Sequence, residues 1–152
     1  MLIENGAVRL GFDNITVRQQ DATQCVPEWL ESMDVVIADV PCSGLGIIRK
    51  TPDIRYKKLE ELQDLPALQL RILENHAVFV IKGGTLLYST CTVLKAENED
   101  VVNAFLAKHH DFYLEPLELP EVFEKNETGM LTLIPGEYDT DGCFICRLRR
   151  KA

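Results

Sequence analysis

Two cysteines in this sequence each follow an apolar run, where their thiols could do chemistry. The stretch DVVIADVPCSGLG, residues 34–46, holds Asp39 and Cys42 where a buried strand would end. Further on, GGTLLYSTCTV puts Cys91 at the exit of a second apolar run. A lone buried cysteine is more often an inert core residue. Because a thiol is a nucleophile and a carboxyl group can give or take a proton, the pair together with Asp39 favours covalent catalysis.

Two thiols and one acid suit the modification of carbon 5 of a cytosine. Carbon 5 is too weakly nucleophilic to attack a methyl donor, but a soft nucleophile added at carbon 6 makes the ring an enamine whose carbon 5 can attack. An acid that protonates or hydrogen-bonds ring nitrogen 3 helps this adduct to form. The proton on carbon 5 must then leave so that the thiol can be expelled, and a second thiol near the ring could assist that step.

Helical and strand patterns alternate along the chain. The predicted elements are a helix through about residue 10 that Gly11 ends, strands at 15–20 (ITVRQQ) and 34–39, a helix over 65–82 that Gly83 and Gly84 end, a strand at 85–90, a helix over 92–110, a strand at 112–117, and late strands within 129–136 and 142–150. Such alternation predicts an α/β fold with a mostly parallel sheet. Because ligands bind outside the carboxyl ends of such strands, we expect Asp21, Asp39, Cys42 and Cys91 to lie along one rim.

Composition limits the classes of protein that remain. The chain has 152 residues, enough for one domain with a core, and a net charge of −8, which argues against general nucleic-acid binding. No apolar run is long enough to span a membrane, and the N-terminus lacks the pattern of a signal peptide. Five cysteines, an odd number, indicate a reducing compartment, and we expect a cytoplasmic protein. The CFIC stretch has metal-like spacing but no second cysteine pair, so core packing is favoured and no metal site is predicted.

Residues 47–58 form a local basic segment in this acidic chain. A solvated loop is the ordinary interpretation of such a charge cluster. Its position directly after the first cysteine instead favours RNA binding, since phosphate contacts need lysine and arginine. The candidate RNA-binding residues are Arg49, Lys50, Arg55, Lys57 and Lys58.

The two cysteine motifs resemble those of a known enzyme family. DVPCSGLGIIRKTPDIRY and KGGTLLYSTCTVLKAENEDVV are similar to the Pro-Cys and Thr-Cys motifs of NOP2/Sun-type RNA 5-methylcytosine methyltransferases, above all the bacterial 16S ribosomal RNA cytosine-5 methyltransferase B type, Sun or Fmu. The resemblance covers essentially the whole chain and ends in TDGCFICRLRR. Two mild departures are Val40, where the family usually has alanine, and Thr92, where it often has serine.

The resemblance implies a role for each candidate residue. In that family the Thr-Cys thiol, here Cys91, attacks carbon 6, whereas the DNA enzymes attack with the Pro-Cys thiol. Cys42 would then assist product release, and Asp39 would face the cytosine edge close to the cofactor. S-adenosylmethionine is the implied cofactor, held by Asp21 on the adenine side and by Asp39 and Pro41. The partner that the resemblance implies is ribosomal RNA, of the 16S kind.

The resemblance also implies parts that residues 1–152 do not contain. The glycine-rich cofactor loop and two central strands of a Rossmann-like methyltransferase sheet should precede residue 1, so we expect a C-terminal part of a catalytic domain that binds S-adenosylmethionine weakly or not at all by itself. One alternative is a non-catalytic RNA-binding or assembly fragment. Another is a thiol-dependent hydrolase, but it needs a paired histidine that the sequence does not place. The intact cysteine pair favours descent from an active methyltransferase.

Overall fold

The computed structural model describes residues 2–121, 123 and 127–152. They form a five-stranded sheet in the order β1-β2-β5-β3, with β4 paired to β5, and helices that flank it. The elements are α1 (Leu2–Leu10), β1 (Met33–Asp39), α2 (Leu65–Ala77), β2 (Val80–Thr90), α3 (Glu99–Lys108), β3 (Phe112–Leu114), β4 (Met130–Leu133) and β5 (Cys143–Arg150). The predicted α/β class is therefore confirmed.

Strands β1 and β2 are the parallel pair that positions the two cysteine motifs. Helix α2 connects them and packs against both, as a crossover between parallel strands requires. Pro66 lies in the first turn of α2, where its missing N–H costs no helical hydrogen bond. The register runs from Val36 opposite Leu86 to Asp39 opposite Ser89. Both strands therefore end at the same edge of the sheet, and the chain leaves them side by side.

The prediction of a mostly parallel sheet is wrong for the described strands. β5 runs antiparallel to β2, β3 and β4, so β1 with β2 is the one parallel pairing that this part of the chain shows. The link from β4 to β5 is too short for a crossover, and a short link joins antiparallel strands. The alternating burial along β5 then places Phe144, Cys146 and Leu148 in the core, each 0% exposed.

Two local predictions were also wrong. The stretch ITVRQQ is extended but not a strand, since no described strand pairs with it and Ile15 stays half exposed. Gly83 and Gly84 do not end a helix: α2 ends at Ala77, and both glycines lie within β2. Gly83 takes a φ of 74°, where the pairing with β1 is irregular, and a Cβ on Gly84 would lie 3.0 Å from the Asp34 carbonyl oxygen. The glycines thus allow a bulge that brings β1 and β2 into register beyond it.

One apolar core holds the sheet and helices together. Leu73 of α2 and Phe105 of α3 pack on the sheet side chains Leu86, Tyr88 and Phe144, and all five are fully buried. Burying each such large side chain contributes about 1.5–3 kcal/mol. The core lies directly beneath the ends of β1 and β2, which makes that rim a rigid platform.

The opposite side of β1 remains open among the described residues. Val35 and Ile37 are 54% and 62% exposed, and β1 has one described neighbour, β2. Helix α1 also exposes apolar side chains, Leu2 and Val8 among them. Exposed apolar strand surface promotes association, so we expect residues 1–152 by themselves to self-associate.

Candidate active site

The sulfur atoms of the two motif cysteines lie against each other. Cys42 Sγ is 2.7 Å from Cys91 Sγ, and the Cys91 backbone N–H donates to Cys42 Sγ at 3.2 Å. The contact follows from the parallel pairing, because Cys91 directly follows β2 and Cys42 lies three residues beyond the end of β1. Both residues are partly exposed, so a ligand at the rim can reach them. Residues 49 positions apart thus form one thiol pair.

Glycines fix the loop that carries Cys42. Gly44 has a φ of 78°, and a Cβ there would lie 2.9 Å from Ile54 Cδ1. A Cβ on Gly46 would lie 2.1 Å from the Gly142 carbonyl oxygen, so no larger residue fits. The Gly46 N–H donates to the Cys91 carbonyl oxygen at 3.0 Å, and the Gly142 N–H donates to the Gly46 carbonyl oxygen at 2.8 Å. The Pro-Cys loop is therefore bonded to the other cysteine motif and to the start of β5.

Asp39 ends β1 beside the thiol pair. Its side chain is exposed, and Asp39 Oδ1 accepts a hydrogen bond from the Ser89 hydroxyl at 2.9 Å across the strand pair. Within the described residues no hydrogen bond joins this carboxylate to Cys42 or Cys91. Asp39 can therefore turn its second oxygen to a ligand at the rim, as its expected role at the cytosine edge requires.

The surroundings of Cys42 keep it protonated. Burial raises the pKa of the Cys42 thiol to about 12, and the hydrogen bond with Cys91 acts in the same direction, against weaker opposing effects of the Cys91 and Gly44 backbone N–H groups. At neutral pH Cys42 is therefore a thiol whose proton can be donated to Cys91 Sγ. A donated hydrogen bond stabilises negative charge on the accepting sulfur, which favours Cys91 as the attacking group.

We expect alkylation to separate Cys42 from exposed cysteines. With a pKa of about 12, only about one Cys42 in ten thousand is a thiolate at pH 8. Iodoacetamide at pH 8, followed by peptide mass spectrometry, should label the exposed Cys25 rapidly and leave Cys42 unmodified, with Cys42 labelling rising as the pH approaches 11. Equal labelling of Cys25 and Cys42 at pH 8 would contradict the protonated state.

Two of the residues expected to bind the cofactor, Asp21 and Asp39, are not bonded to each other. Asp21 lines a cavity of about 180 Å³ with Arg18, Asn75 and Phe79. Hydrogen bonds from the Thr23 backbone N–H and hydroxyl lower the pKa of Asp21 and keep it a carboxylate. No hydrogen bond in the described part of the chain links Asp21 to Asp39. The prediction that Asp21 shares the rim with Asp39 and Cys91 is wrong: ITVRQQ is not a strand, and the cavity of Asp21 lies beside His76 and Phe79, just before the start of β2.

Part of the basic segment is paired with an acidic turn. Arg49 contacts Asp139 at 3.5 Å and Asp141 at 3.8 Å, and Lys50 forms an ion pair with Asp141. Asp139 and Asp141 lie in the turn before β5, so this turn closes over the segment. Two of the five candidate RNA-binding cations are therefore partly neutralised.

The other cations of the segment differ in how free they are. Lys57 Nζ donates to the Ser43 carbonyl oxygen at 2.8 Å, which bonds it to the Pro-Cys loop. Arg55 Nε donates to the Pro52 carbonyl oxygen at 3.1 Å. Lys58 is exposed, and no described residue forms an ion pair with it. Of the candidates, Lys58 is thus an exposed cation without an ion pair to a described residue, and Lys57 has a structural contact that sequence could not reveal.

A cluster of buried polar side chains beneath the two cysteine loops was missed at the level of sequence. Its members are almost fully buried: Ser43, Gln69, Thr92, Glu97 and Asn98. One signal could have found two of them. Gln69 stands four residues before Leu73, and Glu97 four before Val101, so each is a polar residue on the inward face of a helical pattern.

Two predicted absences concern metals and membranes. In the described residues no group of three histidine, cysteine or acidic side chains could hold a metal ion. Cys146 is fully buried and Cys143 half-buried, and the burial pattern of β5 assigns them to different environments, as core packing predicts. Over the same residues, no helix has the length and hydropathy to cross a membrane.

Solved structures with the same architecture define the class of protein. The fold matches "The crystal structure of NSun6 from Pyrococcus horikoshii with SFG" with a TM-score of 0.78 and 26% identity, over 99% of this chain and 38% of that one. It matches PH0851 with a TM-score of 0.88 and 32% identity, over 97% of this chain and 34% of that one. An N-methyltransferase, NodS from Bradyrhizobium japonicum, shares the fold alone at 13% identity and a TM-score of 0.53, over 99% of this chain and 68% of that one. The fold is that of Rossmann-like S-adenosylmethionine-dependent methyltransferases.

Within that class, the chain belongs to the 16S rRNA methyltransferase RsmB/F family, whose model matches residues 1–149. It is 43% identical over 158 residues to the probable ribosomal RNA small subunit methyltransferase B of Bacillus subtilis, covering 99% of this chain and 35% of that protein. It is 39% identical to ribosomal RNA small subunit methyltransferase B of Thermus thermophilus, over 95% of this chain and 35% of that protein. The chain thus spans about a third of the length of these curated relatives.

Proposed function

We propose that this chain methylates carbon 5 of a cytosine in small-subunit ribosomal RNA, 16S rRNA, through a covalent adduct with Cys91. The observation that carries the proposal is the contact between Cys42 Sγ and Cys91 Sγ beside the exposed carboxylate of Asp39. Family membership supports methyl transfer to small-subunit ribosomal RNA. The thiol pair supports the choice of cytosine carbon 5, because this position needs a nucleophile at carbon 6 and a proton acceptor at carbon 5.

Cys91 begins the reaction in this proposal. Its thiolate forms a bond to carbon 6, and the electron pair of the ring's carbon 5–carbon 6 bond shifts so that carbon 5 becomes nucleophilic. Asp39, at the rim, faces the cytosine edge, where a proton held between its carboxyl group and ring nitrogen 3 stabilises the charge that moves into the ring. S-adenosylmethionine, when bound, supplies the electrophilic methyl group.

Cys42 ends the reaction. The proton on carbon 5 must be removed while the bond between Cys91 Sγ and carbon 6 breaks. In the free protein burial raises the pKa of Cys42 most, and the hydrogen bond and the charge of Cys91 both add to that rise. Once Cys91 Sγ is bonded to carbon 6, it carries no negative charge, so both effects fall away. Cys42 can then lose its own proton to solvent more readily, and the resulting thiolate accepts the carbon 5 proton while the electron pair of that C–H bond re-forms the ring double bond and expels Cys91 as a thiolate.

The residues expected at the cofactor do not all lie at the rim. Asp39 and Pro41 flank the end of β1 and would lie on the methyl-donor side of S-adenosylmethionine, whereas Asp21, the acid expected on the adenine side, is held as a carboxylate in a cavity beside the start of β2. Residues 1–20 contain no glycine-rich loop after a strand. Weak binding of the cofactor by residues 1–152 alone therefore stays a prediction, which isothermal titration calorimetry would check.

One assay tests the proposed reaction. The protein is incubated with labelled S-adenosylmethionine and 16S rRNA, and the nucleosides are identified by mass spectrometry. A parallel arm uses the Bacillus subtilis relative with its matching part replaced by residues 1–152, since this chain spans 35% of that protein. We expect 5-methylcytidine, in the second arm above all. Label in another nucleoside, or no label in either arm, would overturn the proposal.

A non-catalytic RNA-binding or assembly role is the second candidate. It would keep the basic segment and need neither thiol, so RNA binding without methyl transfer in both arms of the assay would support it. Because RNA binding needs neither thiol, the contact of both thiols at one rim, with Asp39 adjacent, favours the enzyme. A site in the reducing cytoplasm fits the five free cysteines.

We expect Asp141→Asn to strengthen RNA binding. Asp141 pairs with both Arg49 and Lys50, so removing its charge frees Lys50 for phosphates and leaves Arg49 with Asp139 alone. Each added phosphate contact with single-stranded RNA should steepen the slope of log affinity against log salt by about 0.7. Filter binding over a range of salt concentrations measures both quantities. Asp13→Asn, which changes the net charge equally at an acid without an ion pair among the described residues, is the matched control, and an equal effect of both changes would contradict the assignment.

A further inference from the structure

Beneath the thiol pair, Glu97 contacts the backbone that carries Cys42. Glu97 is 2% exposed, and its Oε2 accepts a hydrogen bond from the Ser43 backbone N–H at 2.9 Å and another from Gln69 Nε2 at 2.8 Å. Gln69 Nε2 also donates to the Pro41 carbonyl oxygen at 3.0 Å. The residues before and after Cys42 are therefore both held, one through Gln69 and one by Glu97 directly.

The segment that contains Glu97 and Asn98 also holds the loop that carries Cys91. The Asn98 side chain donates to the Thr92 carbonyl oxygen at 3.1 Å and accepts from the Thr90 hydroxyl at 2.7 Å. The Tyr88 hydroxyl donates to the Glu97 carbonyl oxygen at 2.6 Å, which fixes the Glu97 backbone against β2. The residues on either side of Cys91 are thus bonded to the residue that follows Glu97.

A third link joins the two loops directly. The Ser43 hydroxyl donates to the Thr92 hydroxyl at 2.8 Å, and both side chains are 0% exposed. Each of these residues directly follows one of the two cysteines. The hydroxyl pair therefore sets the spacing of the loops just beneath the sulfur atoms.

This cluster costs stability where it stands. Glu97 Oε1 and Gln69 Oε1 are buried and have no hydrogen-bond partner among the described residues. A buried polar atom without a partner destabilises a fold, so packing alone does not favour these side chains over apolar ones of similar volume. Groups held at such a cost are expected where geometry matters more than stability.

We propose that Glu97 is the positioning residue that keeps the Pro-Cys loop against the Thr-Cys loop, so that Cys42 Sγ stays in contact with Cys91 Sγ during the reaction. Glu97 itself touches neither thiol, and it acts through Ser43 and Gln69. The catalytic part of this inference rests on the proposed function, since proximity matters there for the removal of the carbon 5 proton. The inference that Glu97 holds the two cysteine loops together does not rest on it, because that inference concerns the folded protein alone.

The effective concentration of the thiol pair tests whether Glu97 holds the two cysteine loops together. In an equilibrium with oxidised dithiothreitol, Cys42 and Cys91 lose their two S–H protons and form a disulfide, while the reagent is reduced to its dithiol. Peptide mapping gives the fraction of the Cys42–Cys91 disulfide at each ratio of oxidised to reduced reagent. This readout needs neither RNA nor S-adenosylmethionine, so it can fail or succeed independently of methyl transfer.

We expect Glu97→Ala to lower this effective concentration by about tenfold or more, because the loop that carries Cys42 loses its hold. Glu97→Gln should restore most of it, since an amide oxygen can accept the same two hydrogen bonds. Glu99→Ala is the matched control: Glu99 lies two residues away and accepts from the Thr132 hydroxyl, outside both cysteine loops. It should leave the effective concentration unchanged.

Gln69→Leu covers the case in which Glu97→Ala does not fold. It removes the bond to Pro41 with little change in volume, and it should also lower the effective concentration about tenfold. In the methyl transfer assay, both changes should slow release of the adduct more than its formation. Wild-type disulfide formation in whichever of the two variants folds would overturn the positioning role, whatever the methylation assay gives.

Discussion

Replacing Cys91 by alanine is expected to abolish methyl transfer and to remove the covalent complex between protein and RNA. Without the thiol no bond forms to carbon 6, and carbon 5 stays too weak a nucleophile to react. Loss of a covalent nucleophile lowers the rate by about four orders of magnitude or more. Methyl incorporation into 16S rRNA and a denaturing gel for the protein–RNA adduct measure the two effects separately.

The control for this change is Cys25→Ala, which removes an exposed cysteine outside the thiol pair. It should leave both methylation and the adduct unchanged. A folded Cys91→Ala variant that still methylates RNA would reverse the roles given to the two thiols, and Cys42 would then be the nucleophile. Thermal unfolding checks that each variant is folded. We expect Cys91→Ala to fold, because Cys91 is only half-buried and lies outside the core.

Replacing Cys42 by alanine is expected to have the opposite effect on the adduct. Cys91 can still attack carbon 6, but no thiol remains at 2.7 Å from its sulfur to accept the carbon 5 proton. Product release should slow by about 10²- to 10⁴-fold, the usual contribution of a positioned proton acceptor. The protein should then accumulate as a slowly migrating covalent complex on a denaturing gel, with about one methyl group transferred per protein.

The pH dependence of that release separates proton removal from a purely structural role. In the wild type, release should speed up as the pH rises from 7 towards 10, because a larger fraction of Cys42 is ionised at each step below its pKa. In Cys42→Ala this rise should disappear. A variant that releases its product at the normal rate, with no slow species on the gel, would exclude Cys42 from the release step.

Sequence predicted the parts of the site that depend on local patterns. The apolar runs before Asp39 and Cys91 indicated buried strands, and the helical spacing from Leu65 indicated the crossover that makes these strands parallel. Those elements predicted that the two cysteines lie at one edge of the sheet, and the structure places their sulfur atoms in contact. The helical pattern over 92–110 predicted α3 in the same way, and on its inward face Val101, Val102 and Phe105 are buried and Leu106 is partly buried.

The errors share one physical origin. Whether an extended stretch becomes a strand depends on a partner to hydrogen-bond with, and the pattern of ITVRQQ carries no information about that partner. Glycine marks bulges as well as helix ends, so its presence at Gly83 and Gly84 did not tell the two apart, and the predicted helix end was wrong. The antiparallel direction of β5 followed from the short link after β4, which strand patterns alone do not weigh.

The sequence by itself thus determined which reactive groups are present and approximately where along the predicted elements they lie. Residue types and burial periodicity are local properties, and they marked Asp39, Cys42 and Cys91 as one site. Only the tertiary structure decided which groups hold that site in order. Glu97 reaches Ser43 across 54 residues of chain, and Asp141, just before β5, pairs with Lys50 of the basic segment. Such contacts depend on how whole elements pack together, and no local pattern of residues encodes that arrangement.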